Sequence, residues 1–267
     1  MEIIVCIKQI LDPDLPPAKF MVDKERNKVI PPEGIPFVIN PYDALAVEAA
    51  LKIKDEKGGK ITVITIGDKS TEDIVRKALA MGADEGLIIS DTIFEESDSF
   101  AVGYILAQGI KKIGRYDLIL CGRQAADWDN GVVGSVVAEY LGIPIVTRAK
   151  DVKVVNGRVN VERVTTDGFE TFELELPALI TVSSELGQAR LPSGWGIIKA
   201  ASKEIPIWSG KEIETDISKV GKKASRNQLM RLIIPSYERR CEFITGEDLH
   251  EISAKLTSKL MERRIHE

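Results

Sequence analysis

The residues best suited to chemistry lie in one stretch, CGRQAADWDNGVVGSVVAEYLG, between positions 121 and 142. An apolar segment, DLILCG, leads into a polar loop that contains Asp127 and Asp129, and a helical pattern begins near Gly131. The unpaired amides and the macrodipole of a helix N-terminus attract phosphate, and glycine lets the backbone approach an anion closely. The stretch therefore predicts a phosphate site, at which Asp127 or Asp129 accepts hydrogen bonds from ribose hydroxyls or an adenine amine.

Two further stretches are predicted to meet this loop. Asn40-Pro41-Tyr42-Asp43 ends an apolar approach and opens another helix, and Gly67-Asp68 follows a predicted strand. Ligands bind outside the carboxyl ends of parallel strands, so three such loops at one sheet edge favour a nucleotide. A structural alternative stays open, in which Asp43, Asp129 or Asn130 caps a helix and the glycines allow close packing.

The chain offers little catalytic machinery beside this loop. It has no Walker lysine motif, no G-x-G-x-x-G and no serine-glycine-glycine loop of the adenylating pyrophosphatases. Cys6, Cys121 and Cys241 lack metal-binding spacing, and the two histidines, His250 and His266, lie near the C-terminus. A nucleotide pocket without hydrolytic groups is typical of a carrier or a regulator.

Composition narrows the class of protein further. Apolar residues make up 44% and charged residues 29% of the chain, as in a globular protein. A net charge of −5 argues against nucleic-acid binding. The N-terminus lacks a signal peptide's basic start, and no apolar run reaches the ~18 residues of a membrane span. We therefore expect a cytoplasmic protein that is not embedded in a membrane.

The elements that must position these loops alternate along the first two thirds of the chain. Short runs rich in Ile and Val are apolar on both faces, as strands covered by helices on both sides should be. Amphipathic patterns between them predict helices, one of which begins with a capping pattern from Ser70 to Asp73. Repeated β-α units imply a doubly wound, mainly parallel sheet. The predicted strands span 2–8, 60–67, 85–90, 117–122 and 143–147, and the helices span 43–59, 70–82, 98–114 and 130–142.

After residue 148 the pattern changes. Asn156-Gly157, a strong hairpin signal, and a second turn at Asp167-Gly168 predict an antiparallel annex on the sheet. The segment 184–225 has no sustained period but is too apolar for disorder, so we expect it to lie on a partner. A final helix is predicted from Thr245, with an apolar stripe of Leu249, Ile252, Leu256 and Leu260. We accordingly predict an α/β nucleotide-binding domain over 1–183 and a C-terminal arm and helix over 184–267.

Five stretches carry a resemblance to a known family, and they occur in that family's order and spacing. Over essentially its whole length the chain resembles the β subunit of electron transfer flavoprotein. The resemblance implies a Rossmann-like, adenine nucleotide alpha hydrolase-like fold and a heterodimer with a larger α subunit, which shares a redox FAD with this chain. The five stretches are VCIKQILD, VINPYDALAVEAALKIKD, ALAMGADEG, CGRQAADWDNGVVG and VERVTTDGFETFELELPALIT.

The resemblance also implies a second nucleotide in this subunit. It is AMP in the ordinary respiratory members, and a second FAD in the anaerobic, electron-bifurcating members that also use NADH. Residues 89–110 are similar to the anaerobic branch, whereas Trp128 and Val132 depart from the family's usual loop, so both nucleotides stay open. Carried over by position, the nucleotide contacts are Cys6, Asn40, Pro41, Tyr42, Asp43, Ile66, Gly122, Arg123, Gln124, Ala125, Ala126, Asp127, Trp128, Asp129, Asn130, Gly131, Val132 and Val133.

A docking loop for acyl-CoA dehydrogenases is implied at about 190–199. We expect Trp195, rather than Gly194, to be the apolar anchor, because a large ring in an exposed loop is typical of an interface. The alternative is that Trp195 packs on the protein's own surface. The partner-docking residues carried over are Arg190, Gly194, Trp195, Ile197 and Lys199.

These features predict an electron carrier rather than an enzyme. It would take electrons from an acyl-CoA dehydrogenase or a similar flavin dehydrogenase and pass them to a quinone-linked oxidoreductase or a ferredoxin. One alternative is a bifurcating subunit that oxidises NADH with a second FAD. A second alternative is a regulator of the universal stress protein type, because Gly131-x-x-Gly134-Ser135 superficially resembles the phosphate loop of those proteins. A third is a related hydrolase. The regulator leaves the C-terminal region unexplained.

Overall fold

The computed structural model describes residues 1–234 and 241–264. The chain divides into two compact units, Met1–Arg231 and Leu232–Glu267. The described strands are β1 (Glu2–Cys6), β2 (Gln9–Ile10), β3 (Met21–Asp23), β4 (Lys28–Ile30), β5 (Val38–Ile39), β6 (Lys60–Ile66), β7 (Glu85–Ile89), β8 (Leu118–Gly122), β9 (Ile145–Val155), β10 (Arg158–Val164), β11 (Phe169–Glu175), β12 (Ala178–Val182) and β13 (Ile207–Trp208). The helices are α1 (Pro41–Lys57), α2 (Glu72–Met81), α3 (Ser99–Ile113), α4 (Val133–Leu141), α5 (Gly194–Ala201), α6 (Gly221–Ala224) and α7 (Leu249–Arg264).

A nine-stranded sheet in the order β11-β10-β9-β12-β8-β1-β6-β7-β13 organises the first unit. All its neighbouring strands run parallel except at β10, which is antiparallel to both β9 and β11. The central strands are apolar on both faces because α1 and α2 bury one face and α3 and α4 bury the other. The predicted α/β class with a doubly wound, mainly parallel sheet is confirmed.

The annex forms through the predicted turns. Asn156 and Gly157 both have positive φ, 52° and 78°, as a two-residue hairpin turn requires, and they join β9 to β10. Thr165 N donates to Gly168 O at 2.9 Å across the second turn. The predicted strand at 143–147 is too short, since β9 runs from Ile145 to Val155 without a break. One strand therefore belongs to both the parallel core and the annex.

The segment after β12 contains more regular structure than its sequence pattern predicts. Ser193 Oγ accepts from Gly196 N at 3.0 Å and caps α5, which packs on α2, while β13 pairs with β7. The absence of a sustained period was misleading because a two-turn helix and a two-residue strand are too short to display one. Residues 184–231 belong to the first unit, and the packing of 184–267 on an α subunit stays a prediction.

The second unit contains α7, which begins later than the Thr245 start that its pattern predicts. Asp248 Oδ1 accepts a hydrogen bond from Glu251 N at 2.8 Å, so the helix starts behind this cap, at Leu249. No helix in the described ranges 1–234 and 241–264 combines the length and the apolar character that a membrane crossing requires.

Candidate functional site

The predicted loops meet where the winding of the sheet changes direction. From β1 the chain crosses through α1 to β6 on one side, and it later returns through α3 to β8 on the other side of β1. Doubly wound proteins bind ligands outside the carboxyl ends of the strands at such a switch point. Cys6 ends β1 and is the register partner of Cys121, next to the end of β8, and both side chains are buried.

Asp43 joins the ends of these two strands. Its buried carboxylate accepts from Lys8 N at 2.8 Å through Oδ2 and from Gly122 N at 3.0 Å through Oδ1. Burial raises the pKa of Asp43 to about 7, although both backbone hydrogen bonds act in the opposite direction. The idea that Asp43 caps α1 is wrong, because Asn40 occupies the cap position and the Asp43 carboxylate accepts from Lys8 N and Gly122 N, outside the helix.

Asn40 connects α1 to the loop that follows β8. Its buried side chain donates from Nδ2 to Gln124 O at 2.8 Å and accepts at Oδ1 from Ala126 N at 3.0 Å. The amide side chain thereby satisfies one donor and one acceptor of the loop backbone, as a buried polar group must. Pro41, at the first position of the helix, is exposed. Asn40 and Asp43 together fix where the loop starts.

Arg123 lies on the α1 side of the loop. Its guanidinium lies 4.8 Å from the centre of the Tyr42 ring and donates at 3.3 Å both to Tyr42 Oη and to Ser183 Oγ. Ser183 Oγ in turn donates to Glu185. Within the described residues, Arg123 Nε is buried without a partner. A buried unpaired donor is typical of a position that a water or a ligand completes.

The two aspartates of the loop are engaged by the chain itself. Asp127 forms an ion pair with Lys8 Nζ at 2.7 Å, and Asp129 Oδ1 accepts from Gln124 Nε2 at 2.6 Å. Asn130 Nδ2 donates to Ser99 Oγ at 2.9 Å. The alternative in which Asp129 or Asn130 caps the following helix is therefore wrong. Ala125 O accepts from Asp129 N at 2.9 Å, and the Trp128 side chain is exposed at the turn.

The start of α4 fits a phosphate group. The helix begins at Val133 after Val132, and no side chain caps its first amides. Gly131 has φ +64°, and the nearest atom to a Cβ built there is Arg123 O at 3.5 Å, so the backbone is open at this point. Gly134 differs, because its Cβ would lie 2.7 Å from Thr181 Cγ2, so this glycine serves close packing against β12. Of the two glycines at the start of α4, the packing alternative thus holds for Gly134 and not for Gly131.

The third loop completes the edge. Ile66 ends β6, and Asp68 Oδ1 accepts from Ser70 N at 2.8 Å, capping a short 3₁₀ turn before α2. The capping pattern predicted from Ser70 to Asp73 is wrong, because Asp68 supplies the cap. Gln9 Nε2 lies 3.5 Å from Ser70 Oγ, and among described residues its Oε1 is buried without a partner. Sequence reasoning missed Lys8, which ends the predicted first strand, and Gln9, which begins β2.

The predicted docking segment presents apolar side chains to solvent. Trp195 is 77% exposed, so it does not pack on the chain's own surface. Leu191, Ile197 and Ile198 are also exposed. Leu191 and Ile198 fall within the predicted docking loop of 190–199, although they are not among the docking residues carried over by position. We call Leu191, Trp195, Ile197 and Ile198 the docking face. Gly194 and Lys199 lie in the same helix and are exposed as well.

Arg190 holds this segment through hydrogen bonds and ion pairs to α1. Its backbone N and its guanidinium donate to the buried carboxylate of Glu48 on α1, at 3.0 Å from N and 2.8 Å from Nε. Nη2 also donates to Asp55 at 2.9 Å. The Glu48 and Asp55 carboxylates raise the pKa of Arg190, which therefore stays charged. Arg190 fastens the base of the docking face to α1.

We expect Arg190→Met to destabilise the fold by about 2 kcal/mol, because it leaves Glu48 buried without a cation. The free energy of unfolding from urea titration measures this. Arg158→Met is the matched control, since Arg158 pairs with Glu173 at a site where both side chains are about half exposed. We expect it to cost less than about 1 kcal/mol. Equal losses for the two variants would contradict the anchoring role.

The fold and the site define an α/β protein of the doubly wound class, whose polar loops gather at the switch point of the sheet. A family model described as the electron transfer flavoprotein domain matches residues 28–212. The chain belongs to the electron transfer flavoprotein family and is of its β-subunit type.

Relatives of similar length support this assignment. The caffeyl-CoA reductase-Etf complex subunit CarD of Acetobacterium woodii is 40% identical, with 99% of this chain and 100% of the relative covered. The electron transfer flavoprotein subunit beta of Thermoanaerobacterium thermosaccharolyticum is 37% identical, with the same coverage. The acryloyl-CoA reductase electron transfer subunit gamma of Anaerotignum propionicum is 33% identical, again over 99% of this chain and 100% of the relative.

Proposed function

We propose that this chain is the fixed β subunit of a cytoplasmic, heterodimeric electron transfer flavoprotein and holds a nucleotide at the switch point. The observation that carries the proposal is the uncapped start of α4 behind Gly131, with its loop fixed by Asn40 and Asp43. Helix amides attract the phosphate, and the open backbone at Gly131 allows close approach. Gln9 Oε1 and Arg123 Nε, which have no partner in the described part of the chain, suit a ligand that both donates and accepts hydrogen bonds.

FAD, when bound between this chain and its α partner, supplies the redox chemistry. The part of this chain is to bind and orient. It holds AMP or a second FAD at the α4 start, offers the second unit to the α subunit, and offers the docking face to a dehydrogenase. Two relatives are named as subunits of reductases of acyl-CoA compounds. These names support a flavin enzyme that acts on acyl-CoA compounds as the partner, although a reductase takes up electrons instead of supplying them. We propose an acyl-CoA dehydrogenase or a similar flavin enzyme as the electron donor, and a quinone-linked oxidoreductase or a ferredoxin as the acceptor.

Extraction of the bound small molecules from the heterodimer tests the proposal. The chain is co-expressed with its α subunit, and the nucleotides are separated and quantified. One FAD and one AMP per heterodimer would support the ordinary carrier. An absence of flavin would contradict the proposal, and ATP turnover by the isolated chain would favour the hydrolase instead.

The second candidate is a bifurcating member that oxidises NADH. The similarity of residues 89–110 to the anaerobic branch favours it. Two FAD per heterodimer, together with NADH oxidation in the presence of donor and acceptor enzymes, would support this function. AMP in the β site would exclude it.

We expect Gly131→Ala to weaken nucleotide retention about tenfold. A Cβ at φ +64° costs about 1–2 kcal/mol, and Gly131 lies two residues before Val133, where α4 begins. Calorimetric titration of the nucleotide-depleted heterodimer measures the affinity. Gly142→Ala is the matched control, because Gly142 ends the same helix at φ +67° with open space around it. Gly142→Ala introduces the same backbone strain at positive φ, and we expect it to leave the nucleotide affinity unchanged. Equal affinity losses would place the nucleotide elsewhere.

A further inference from the structure

We propose that Asp43 is a positioning residue: it ties the ends of β1 and β8 together and thereby sets the place of the nucleotide loop without contacting the nucleotide. This inference rests on the proposed function. It departs from the role that the family resemblance implies, in which Asp43 is one of the nucleotide contacts.

The argument begins with the hydrogen bonds of the carboxylate. Asp43 is 6% exposed, and each of its oxygens accepts from a backbone amide of the chain, Lys8 N or Gly122 N. The approach is close, because a Cβ on Gly122 would lie 2.3 Å from Asp43 Oδ1 and 2.7 Å from the Cβ of Tyr42. The hydrogen bond from Gly122 N to Asp43 Oδ1 therefore requires a glycine at position 122.

Each of these two amides belongs to a residue that is connected to the nucleotide loop. Lys8 carries the ammonium group that pairs at 2.7 Å with Asp127, which lies in the loop after β8. Gly122 leads into the loop whose backbone Asn40 holds at Gln124 O and Ala126 N. A shift of either strand end therefore moves the loop that precedes the α4 amides. The Asp43 carboxylate therefore links the segment at Lys8 to the loop that begins at Gly122.

The charge on Asp43 controls this coupling. The ionised carboxylate accepts at both oxygens, whereas the acid form turns an O–H toward groups that are themselves donors. Burial raises the pKa of Asp43 to about 7, so the tie loosens as the pH falls below neutrality. The titratable groups that act on or are acted on by Asp43 are the Lys8 ammonium and the Cys121 thiol, and Lys8 is paired in turn with Asp127. The Cys6 thiol and burial raise the pKa of Cys121, which keeps that thiol neutral.

Stability and affinity are expected to respond to pH in opposite directions. The folded pKa of Asp43 lies above the unfolded value of 3.8, so folding favours the protonated acid. Its contribution to stability is full below pH 3.8 and is lost as the pH rises through about 7. Nucleotide affinity needs the ionised form and should increase over the same neutral range. A carboxylate with a purely structural role would change the stability with pH but would not change the nucleotide affinity in the opposite direction.

The test compares Asp43→Asn with the wild type in the nucleotide-depleted heterodimer. AMP and FAD are the probes, titrated calorimetrically from pH 6 to pH 8. We expect wild-type affinity to be about tenfold lower at pH 6 than at pH 8, since one pH unit below the pKa leaves about a tenth ionised. We expect Asp43→Asn to bind about tenfold more weakly at pH 8, with only the titration of the ligand's own phosphate in its profile.

Asp117→Asn is the matched control. Asp117 Oδ2 accepts from Glu2 N at 2.7 Å, which is the same kind of contact at the opposite, amino end of the same strands. We expect it to leave the affinity and the pH profile of the wild type unchanged. If Asp43→Asn were to misfold, amide resonances of Lys8 and Gly122 in the wild type alone should titrate with a midpoint near pH 7.

Each outcome decides between the proposals. Parallel pH profiles for the wild type and Asp43→Asn, or amide resonances that do not titrate, would overturn the role of Asp43 and leave the proposed function intact. An equal affinity loss in Asp117→Asn would also overturn it, because any strand tie would then have the same effect. A wild type that binds neither AMP nor FAD at any pH would instead refute the nucleotide site itself.

Discussion

Replacing Leu249, Leu256 and Leu260 together by alanine is expected to abolish assembly with the α subunit. These leucines are spaced by seven and four residues, so they form one stripe of α7, and they are 82%, 45% and 57% exposed. Burying one leucine contributes about 1.5–3 kcal/mol, so the stripe accounts for about 5 kcal/mol, or more than a thousandfold in affinity. Alanine preserves the helix, because it has the highest helix propensity. Co-purification of a tagged α subunit and sedimentation velocity measure the loss.

The control for this prediction lies on the other side of the same helix. Ser258 and Glu262 are nine and thirteen residues after Leu249, which places them about half a turn away from the stripe. Ser258→Ala with Glu262→Ala should therefore assemble normally. If the leucine variant also assembled with wild-type affinity, α7 would not be the contact with the α subunit, and its exposed leucines would need another partner.

The parallel core could be predicted from sequence because its strands are apolar on both faces and its turns have distinctive residues. Asn156-Gly157 specifies a hairpin through its backbone conformation alone, without help from distant contacts. By contrast, β13 has two residues, Ile207 and Trp208, and it exists only because Ile88 N and Ser90 N can donate to the segment. A strand that depends on its neighbour leaves no period in its own sequence.

The site could be predicted as a set of loops but not as a network. The predicted segments 40–43 and 122–133 do meet at the switch point, because carboxyl ends of parallel strands must share one edge. The role of each residue depends on ion pairs between residues that are far apart in the sequence. Lys8 is separated by 119 residues from Asp127, and Arg190 by 142 from Glu48, so no local spacing reveals either pair. Arg190 is an anchor within the chain, and its predicted contact with a partner stays a prediction.

Trp195→Ala is expected to weaken electron transfer from the dehydrogenase by about 30- to 1000-fold in kcat/KM. Truncating an aromatic hot spot at the centre of an interface typically costs about 2–4 kcal/mol. The helix that carries the docking face is held on α2, because Arg76 Nη1 donates to Ala200 O at 2.9 Å and Gly196 lies against Ala80 O. A fixed helix loses little entropy on docking, so its exposed ring contributes nearly its full burial energy.

The measurement is the rate of dehydrogenase-dependent flavin reduction at varied heterodimer concentration. The effect should appear in KM and leave kcat and flavin content unchanged, because Trp195 lies outside the cofactor loops and should act only in complex formation. Ile217→Ala is the control, since Ile217 is 72% exposed, close to the 77% of Trp195, but lies outside the docking face. A normal KM in Trp195→Ala, or an equal rise in both variants, would mean that the dehydrogenase binds to another surface. The Arg190 anchor would then serve only the stability of the fold.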